Sequence, residues 1–309
     1  MNNQNHRDDT AVNEEALELH RKFRGKLEVA SKVKLENSKD LSLAYTPGVG
    51  AVSKAIAEDP EKVYEMTFKG RTVAIVTDGS AVLGLGNIGP EAALPVMEGK
   101  AAIFKELGEV DAFPICLDTQ DTNEIVETVK RLSPTFGGIN LEDIAAPRCF
   151  EIEERLQGIG IPVFHDDQHG TAIVLLAGIL NAARALRKNL LDMTVVVNGA
   201  GAAGISIAKL LKSEEDLVKE VIVCDSKGII SKSREDLNSA KQSLLAFTNP
   251  GNRSGDLADA ILGADVFIGV SAPGVLTKEM VGSMNADGII FALANPVPEI
   301  YPDEAKEAG

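Results

Sequence analysis

Apolar residues fall in short blocks along this chain, and the blocks alternate between two kinds. Val73–Val76, Ala112–Leu117, Phe136–Leu141 and Pro162–Phe164 are near-continuous apolar runs, the mark of strands covered on both faces. Between them, Glu91–Leu107, Thr122–Leu132 and Cys149–Gln157 space their apolar residues as helices do. A strongly apolar helix, Thr171–Leu186, precedes a fresh series: a valine strand from Thr194, a helix over Ile205–Lys212, and strands at Val221–Cys224, Val266–Val270 and Ile289–Leu293. Strands alternating with helices predict an α/β fold with a mainly parallel, helix-covered sheet. Two domains are expected, residues 1–165 and 166–309. Upstream, residues 1–13 read as a frayed polar end and Glu14–Val33 as a helix, with Ala16, Leu17, Phe23, Leu27 and Ala30 in register. Tyr45-Thr-Pro-Gly-Val-Gly50, Thr77–Gly89 and His165-Asp-Asp-Gln-His-Gly170 read as loops.

The junction after the valine strand carries the sharpest chemistry. Gly199, Gly201 and Gly204 follow it at the spacing G-x-G-x-x-G. In a dinucleotide-binding turn the first glycine permits the tight bend, the second lets a pyrophosphate approach, and the third lets helix and strand pack closely. Asp225 ends the next strand about 20 residues on, where a ribose-binding carboxylate is expected. A rival triad, Gly84-Leu-Gly86-Asn-Ile-Gly89, lies too far beyond its strand and reads as a loop at an active-site rim.

Composition narrows the function classes. The 309 residues carry a formal charge of −15, which disfavours nucleic acid and anionic membranes as partners. The chain does not open on a charged-then-apolar leader, and Ile173–Leu180 is too short an apolar stretch to span a bilayer. Cys116, Cys149 and Cys224 are widely spaced, as free thiols are in a reducing compartment, so a cytoplasmic location is expected.

Two acidic pairs stand just beyond predicted strands: Glu142 with Asp143, and Asp166 with Asp167. Ligands gather at the carboxyl ends of strands in open α/β sheets, and three carboxylates there would suit Mg²⁺ or Mn²⁺. Taken singly, either pair also reads as solvated surface. His165 and His169 lack the glutamate and the third ligand of a zinc site. Lys100, in a mostly apolar stretch, could serve as a base or snorkel to solvent, and Tyr45 could be a packing residue.

Beyond these readings, Tyr45-Thr-Pro-Gly-Val-Gly50, Leu83-Gly-Leu-Gly-Asn-Ile-Gly89, Glu98-Gly-Lys100, Ile139-Asn-Leu-Glu-Asp143, Phe164-His-Asp-Asp-Gln-His-Gly-Thr-Ala172, Asn198-Gly-Ala-Gly201 and Phe291-Ala-Leu-Ala-Asn-Pro296 occur in one order. Through them the chain resembles the malic enzymes of the short bacterial type over essentially its whole length. The resemblance implies an N-terminal α/β substrate and metal domain and a Rossmann-type NAD(P) domain. It implies oxidative decarboxylation of L-malate to pyruvate and CO₂, with NAD⁺ or NADP⁺ reduced and Mg²⁺ or Mn²⁺ required. Glu142, Asp143 and Asp167 would hold the metal, Lys100 would be the base, Asp166 its charge partner, and Tyr45 the acid. Gly199, Gly201, Ala202, Ala203, Gly204, Asp225 and Ser271 would bind the dinucleotide, and Asn295 the nicotinamide end or a substrate carboxylate.

Asp225 tilts the expectation toward NAD, while Lys227, Lys232 and Arg234 could neutralise a 2′-phosphate. A homodimer is expected, with Tyr45- and Lys100-type residues reaching the neighbour's site. Two departures stand out: Ala81 occupies the place of a substrate-binding arginine, and the chain stops at Gly309, before a segment that relatives carry. A C-terminally truncated or naturally shortened chain that keeps its fold, with reduced or absent turnover, is therefore expected. A malolactic conversion, and a non-catalytic dinucleotide-binding protein, are the alternatives.

Overall fold

A computed structural model describes residues 2–82, 84–212 and 216–309; Leu83 of the second glycine motif lies outside the described residues. The chain opens with helix α1 (Asn2–Phe23), so residues 2–13, expected to fray, continue a helix. That helix ends ten residues before Val33. Arg24 and Gly25 turn left-handed (φ 56° and 102°), and a Cβ on Gly25 would crowd the Glu98 carboxylate at 2.7 Å. Leu27 and Ala30 therefore continue the spacing without the helix. Three short helices follow: α2 (Ser38–Ala44), capped by the Asn37 side chain, α3 (Val49–Glu58) and α4 (Lys62–Met66). Val49 and Gly50, expected as the end of a loop, open α3, and the apolar pattern predicts nothing for the rest, because so few turns leave little period to read.

A four-stranded sheet comes next. Its parts are β1 (Thr72–Thr77), α5 (Pro90–Gly108), β2 (Asp111–Cys116), α6 (Thr122–Leu132), β3 (Gly138–Leu141), α7 (Arg148–Leu156) and β4 (Val163–His165). The strand order is β2-β1-β3-β4, and β1 pairs in parallel with β2 and β3. Ile75, Met97, Ala101 and Ala112 bury together where α5 covers this sheet. The amide of Glu142 donates to Val76 O at 2.9 Å, carrying the ladder one residue past β3.

His165-Asp-Asp-Gln-His-Gly170, expected as a loop, ends β4 and then forms the first turn of α8 (Asp166–Leu186). Two aspartates at a helix N-terminus suit its positive dipole end. By length and composition α8 could cross a membrane, a measure that the stretch Ile173–Leu180 alone does not meet. Its stripe Ala172, Leu175, Ile179 and Ala183 is instead buried in the core of the second sheet.

That sheet contains β5 (Thr194–Asn198), α9 (Ala202–Leu211), β6 (Glu220–Asp225), β7 (Gly228–Ile229), α10 (Ser239–Leu244), α11 (Leu257–Ile261), β8 (Val266–Gly269), α12 (Lys278–Gly282), β9 (Ile289–Ala292) and α13 (Pro302–Glu307). Its order is β7-β6-β5-β8-β9, parallel except for β7 at the edge. The connection from β5 runs outward to β6, and a later one returns to β8 on the other side of β5. This reversal is the switch point at which doubly wound sheets bind ligands. Val195, Val197, Val221, Val223, Val266 and Ile268 face one core layer, and Val196, Ile222 and Phe267 the other.

The chain divides into two compact units. The first comprises Met1–Ser80, Asn87–Glu142 and Arg155–Val163, and the second Ala81–Gly86, Asp143–Glu154 and Phe164–Gly309.

Candidate functional site

In the second unit the glycine turn follows β5 directly. Gly199 has φ 123°, and a side chain there would collide with the Val270 carbonyl. A Cβ on Gly204 would strike the Gly199 carbonyl, so helix and turn meet as closely as the third glycine allows. Gly201 differs: nothing lies within 4 Å of where its Cβ would stand. It is the N-cap of α9 with no side-chain cap, so the first-turn amides, those of Ala202 and Ala203 among them, face an open approach.

Asp225 stands at the end of β6 as predicted, but its carboxylate is heavily engaged. Arg234 donates to it through Nη1 at 2.7 Å and Nη2 at 3.2 Å, Lys241 Nζ at 2.6 Å, and the Lys227 amide at 2.9 Å. Burial alone would push this carboxyl upward; the bonds from Arg234, Lys241 and Lys227 outweigh it and hold it at about 2. Of the three cations weighed for a 2′-phosphate, Arg234 is thus tied to Asp225 and Asp236, and Lys227 Nζ lies 2.7 Å from Asp236. Lys232 donates its amide to Asn252. Lys241 was not foreseen, since it lies 16 residues from its partner.

Ser271 and Asn295 sit in the loops after β8 and β9. Asn198 Nδ2 donates to Ser271 Oγ at 2.8 Å, joining the end of β5 to the first of those loops. Asn295 is exposed, and its carbonyl lies 3.2 Å from where a Cβ on Gly84 would stand. Glu299, also unforeseen, accepts from the amides of both loops.

The acidic residues group tightly. Asp143 N–H donates to Asp167 Oδ2 at 2.9 Å, and Asp143 carries a left-handed backbone (φ 53°) that turns the chain sharply after Glu142. Ala81, where a substrate-binding arginine was missed, donates its amide to the Asp143 carbonyl. One oxygen from each of Glu142, Asp143 and Asp167 lies within 4.8 Å of the others. Glu142 and Asp143 are only 5% and 4% exposed. Three carboxylates so close, two of them buried, offer an all-oxygen donor set of the kind that suits Mg²⁺ or Mn²⁺.

In the first unit, Lys100 Nζ lies 2.9 Å from Glu142 Oε1, and Asn140 Nδ2 donates to Glu142 Oε2 at 2.8 Å. Tyr45 stands in the turn between α2 and α3, 68% exposed. Asp166 opens α8, and its carboxylate fills the space that a side chain on Gly170 would need.

Both histidines lie against carboxylates. His165 is wholly buried with Nε2 3.3 Å from Asp167 Oδ2, and burial lowers it to about 4, so it is neutral. His169 binds Glu153 at 2.7 Å, and Glu153 also accepts from the His165 amide and Gln168 Nε2. Glu153 on α7 thereby clamps the first turn of α8. No local pattern signals it, because the clamp spans 12 to 16 residues.

Residues 24–157 match the family model described as malic enzyme, N-terminal domain, and residues 168–307 the one described as malic enzyme, NAD binding domain. The chain is 60% identical over 301 residues to the bifunctional malic/malolactic enzyme of Bacillus subtilis (strain 168), covering 97% of this chain and 73% of that protein. It is 48% identical over 301 residues to the NADP-dependent malic enzyme of Escherichia coli (strain K12), covering 97% of this chain but 39% of that one. The crystal structure of the NAD-dependent malic enzyme from Thermotoga maritima superposes with a TM-score of 0.92 at 52% identity, over 95% of this chain and 78% of that one. On both sequence and fold, the chain belongs to the malic enzyme family.

Proposed function

We propose that this chain oxidatively decarboxylates L-malate to pyruvate and CO₂, reducing NAD⁺ or NADP⁺, with Mg²⁺ or Mn²⁺ held by Glu142, Asp143 and Asp167. The observation that carries this reading is the carboxylate group itself, with Lys100 paired to one of its members. A bound divalent ion would supply Lewis-acid polarisation of the substrate oxygen.

The protein's own residues divide the proton work. With Glu142 holding a cation, Lys100 would lose the carboxylate that favours its charged form and could shed its proton to solvent, as a general base must. Lys100, as the neutral amine, then removes the C2 hydroxyl proton, with Asp166 balancing the charge it gains; a bound nicotinamide would supply the acceptor for the C2 hydride. When the C3–carboxylate bond of the resulting 2-ketoacid breaks, CO₂ leaves and the electron pair forms the enolate of pyruvate. Tyr45 returns a proton to C3. Acid and base are distinct because protons leave one atom and return to another. Gly199, Gly201, Ala202, Ala203 and Gly204 hold the pyrophosphate, Asp225 and Ser271 flank the dinucleotide, and Asn295 orients the nicotinamide or a malate carboxylate.

Residues 1–165 would supply the base and acid, and residues 166–309 the dinucleotide site. The chain would work in the cytoplasm as a homodimer. Val29, Val33, Leu35, Leu41, Leu43 and Tyr45, all exposed on the first unit, would give that interface its apolar surface. Activity is tested by nicotinamide absorbance in a mixture of malate, Mn²⁺ and NAD⁺ or NADP⁺, beside Lys100→Ala. Growth of reduced cofactor that the variant abolishes supports the reading. The Bacillus subtilis relative's second activity motivates a malolactic reading, which lactate formed without net reduction would favour. Dinucleotide binding without any turnover would leave only a binding role.

A further inference from the structure

Glu299 has no exposed surface, yet it carries a carboxylate into the second unit. Its Oε1 accepts the Ser271 amide at 2.9 Å and the Ser271 hydroxyl at 3.3 Å, while Oε2 accepts the Ala294 amide at 3.0 Å. Those amides belong to different loops, one leaving β8 and the other leaving β9. The backbone beside the carboxylate repeats the tie: Pro298 O accepts from Gly274, and Glu299 O from Leu276. The side chain also lies against the end of β8 so closely that a Cβ on Gly269 would collide with it. Hydrogen bonds therefore run from Asn198 at the end of β5, through Ser271 and Glu299, to Ala294, the residue before Asn295.

The direction of those bonds explains the residue type. Ser271 Oγ receives a hydrogen from Asn198 and passes its own to Glu299, and two amides also aim at the carboxylate. Only a group that accepts at both oxygens satisfies them all, and such charge-assisted bonds offset the cost of burying the charge. The strand order supplies the functional side. The adenosine acid Asp225 ends β6 and the pyrophosphate turn follows β5, so the far half of a dinucleotide laid across the switch point reaches the ends of β8 and β9.

We infer that Glu299 is a positioning residue for the nicotinamide half of the cofactor, locking the loops that present Ser271 and Asn295. This rests on the dinucleotide-binding part of the proposed function. Glu299→Gln keeps the shape but turns an NH₂ donor against one of the amides. Equilibrium binding is measured on the full chain with two probes, NADH and ADP-ribose, the second lacking the nicotinamide. The expected result is an NADH Kd raised about tenfold, the scale of one lost hydrogen bond to a charged group, with ADP-ribose affinity within about twofold of the parent. Glu299→Asp, which keeps the charge but is one methylene shorter, is expected to give the same split in smaller measure and serves if the glutamine variant does not fold.

Equal losses for both probes in the folded variants would make Glu299 a merely structural residue and overturn the inference, as would unchanged NADH binding. A parent chain that binds neither probe would instead defeat the dinucleotide reading itself.

Discussion

The ammonium of Lys100 lies 2.9 Å from Oε1 of Glu142, so the proposed base and one proposed metal ligand share a single ion pair. Removing the amine while leaving the carboxylates separates the two roles. Lys100→Ala is expected to lower kcat by about 10²–10⁴, the usual contribution of a general base, and to leave Mn²⁺ binding intact. Steady-state kinetics and the electron paramagnetic resonance signal of free Mn²⁺ check the two halves. A variant that loses metal binding along with activity would show Lys100 to be holding Glu142 in place instead.

Asp167 is tied to Asp143 through its backbone amide, which engages Oδ2. Asp167→Asn keeps the size and removes one of three charges from the group. Mn²⁺ affinity is expected to fall by at least about tenfold, in keeping with the sensitivity of metal sites to far smaller changes. Chelation by EDTA should stop turnover in the parent, and added Mn²⁺ should restore it. Unchanged metal affinity in Asp167→Asn would remove this residue from the ligand set.

Much of this architecture was legible in the apolar pattern, for a physical reason. Strands covered on both faces must be apolar throughout, so β1, β2, β5, β6, β8 and β9 announce themselves within a residue or two of their ends. Thr122–Leu132 was readable to the residue because Asp121 caps it with a side chain and its apolar face is regular. The failures lie where period carries no information. Ala202 and Ala203 open α9 in a small-residue stretch that a helix shares with a loop, and α2 and α4 are only seven and five residues long. Gly25 ends α1 although the apolar spacing runs on, because backbone conformation outweighs pattern there. In the site, the grouping of Glu142, Asp143 and Asp167 was legible from acids standing just beyond strands. Lys241, Glu153 and Glu299 were not, since each has a partner 12 to 28 residues away.

Asp225 carries a pH dependence with a definite sign. Its carboxyl is held at about 2 in the fold, below the ordinary value of about 3.9 for the unfolded chain. The unfolded state therefore binds the proton more readily. The stabilisation is complete above about pH 4 and is lost as pH falls through 2. Urea titrations across that window should show the parent losing stability more steeply than Asp225→Asn. Parallel slopes would mean that the ion pairs with Arg234 and Lys241 add nothing in solution.

Gly201 and Gly204 allow a sharper test, because the two glycines fail for different reasons. A methyl on Gly204 would meet the Gly199 carbonyl, so Gly204→Ala must push α9 off the turn. Both the melting temperature and dinucleotide affinity are expected to fall. Gly201 has ordinary extended backbone, φ −90° and ψ −162°, and open space where its Cβ would stand. Gly201→Ala should therefore fold with an unchanged melting temperature, while its methyl occupies the approach that a pyrophosphate needs. ADP-ribose and NADH affinities are expected to drop together, by about tenfold or more, since both ligands carry that pyrophosphate. Calorimetric melting and equilibrium binding on the same preparation distinguish the cases. If Gly201→Ala binds both ligands as the parent does, the phosphate does not approach over this turn.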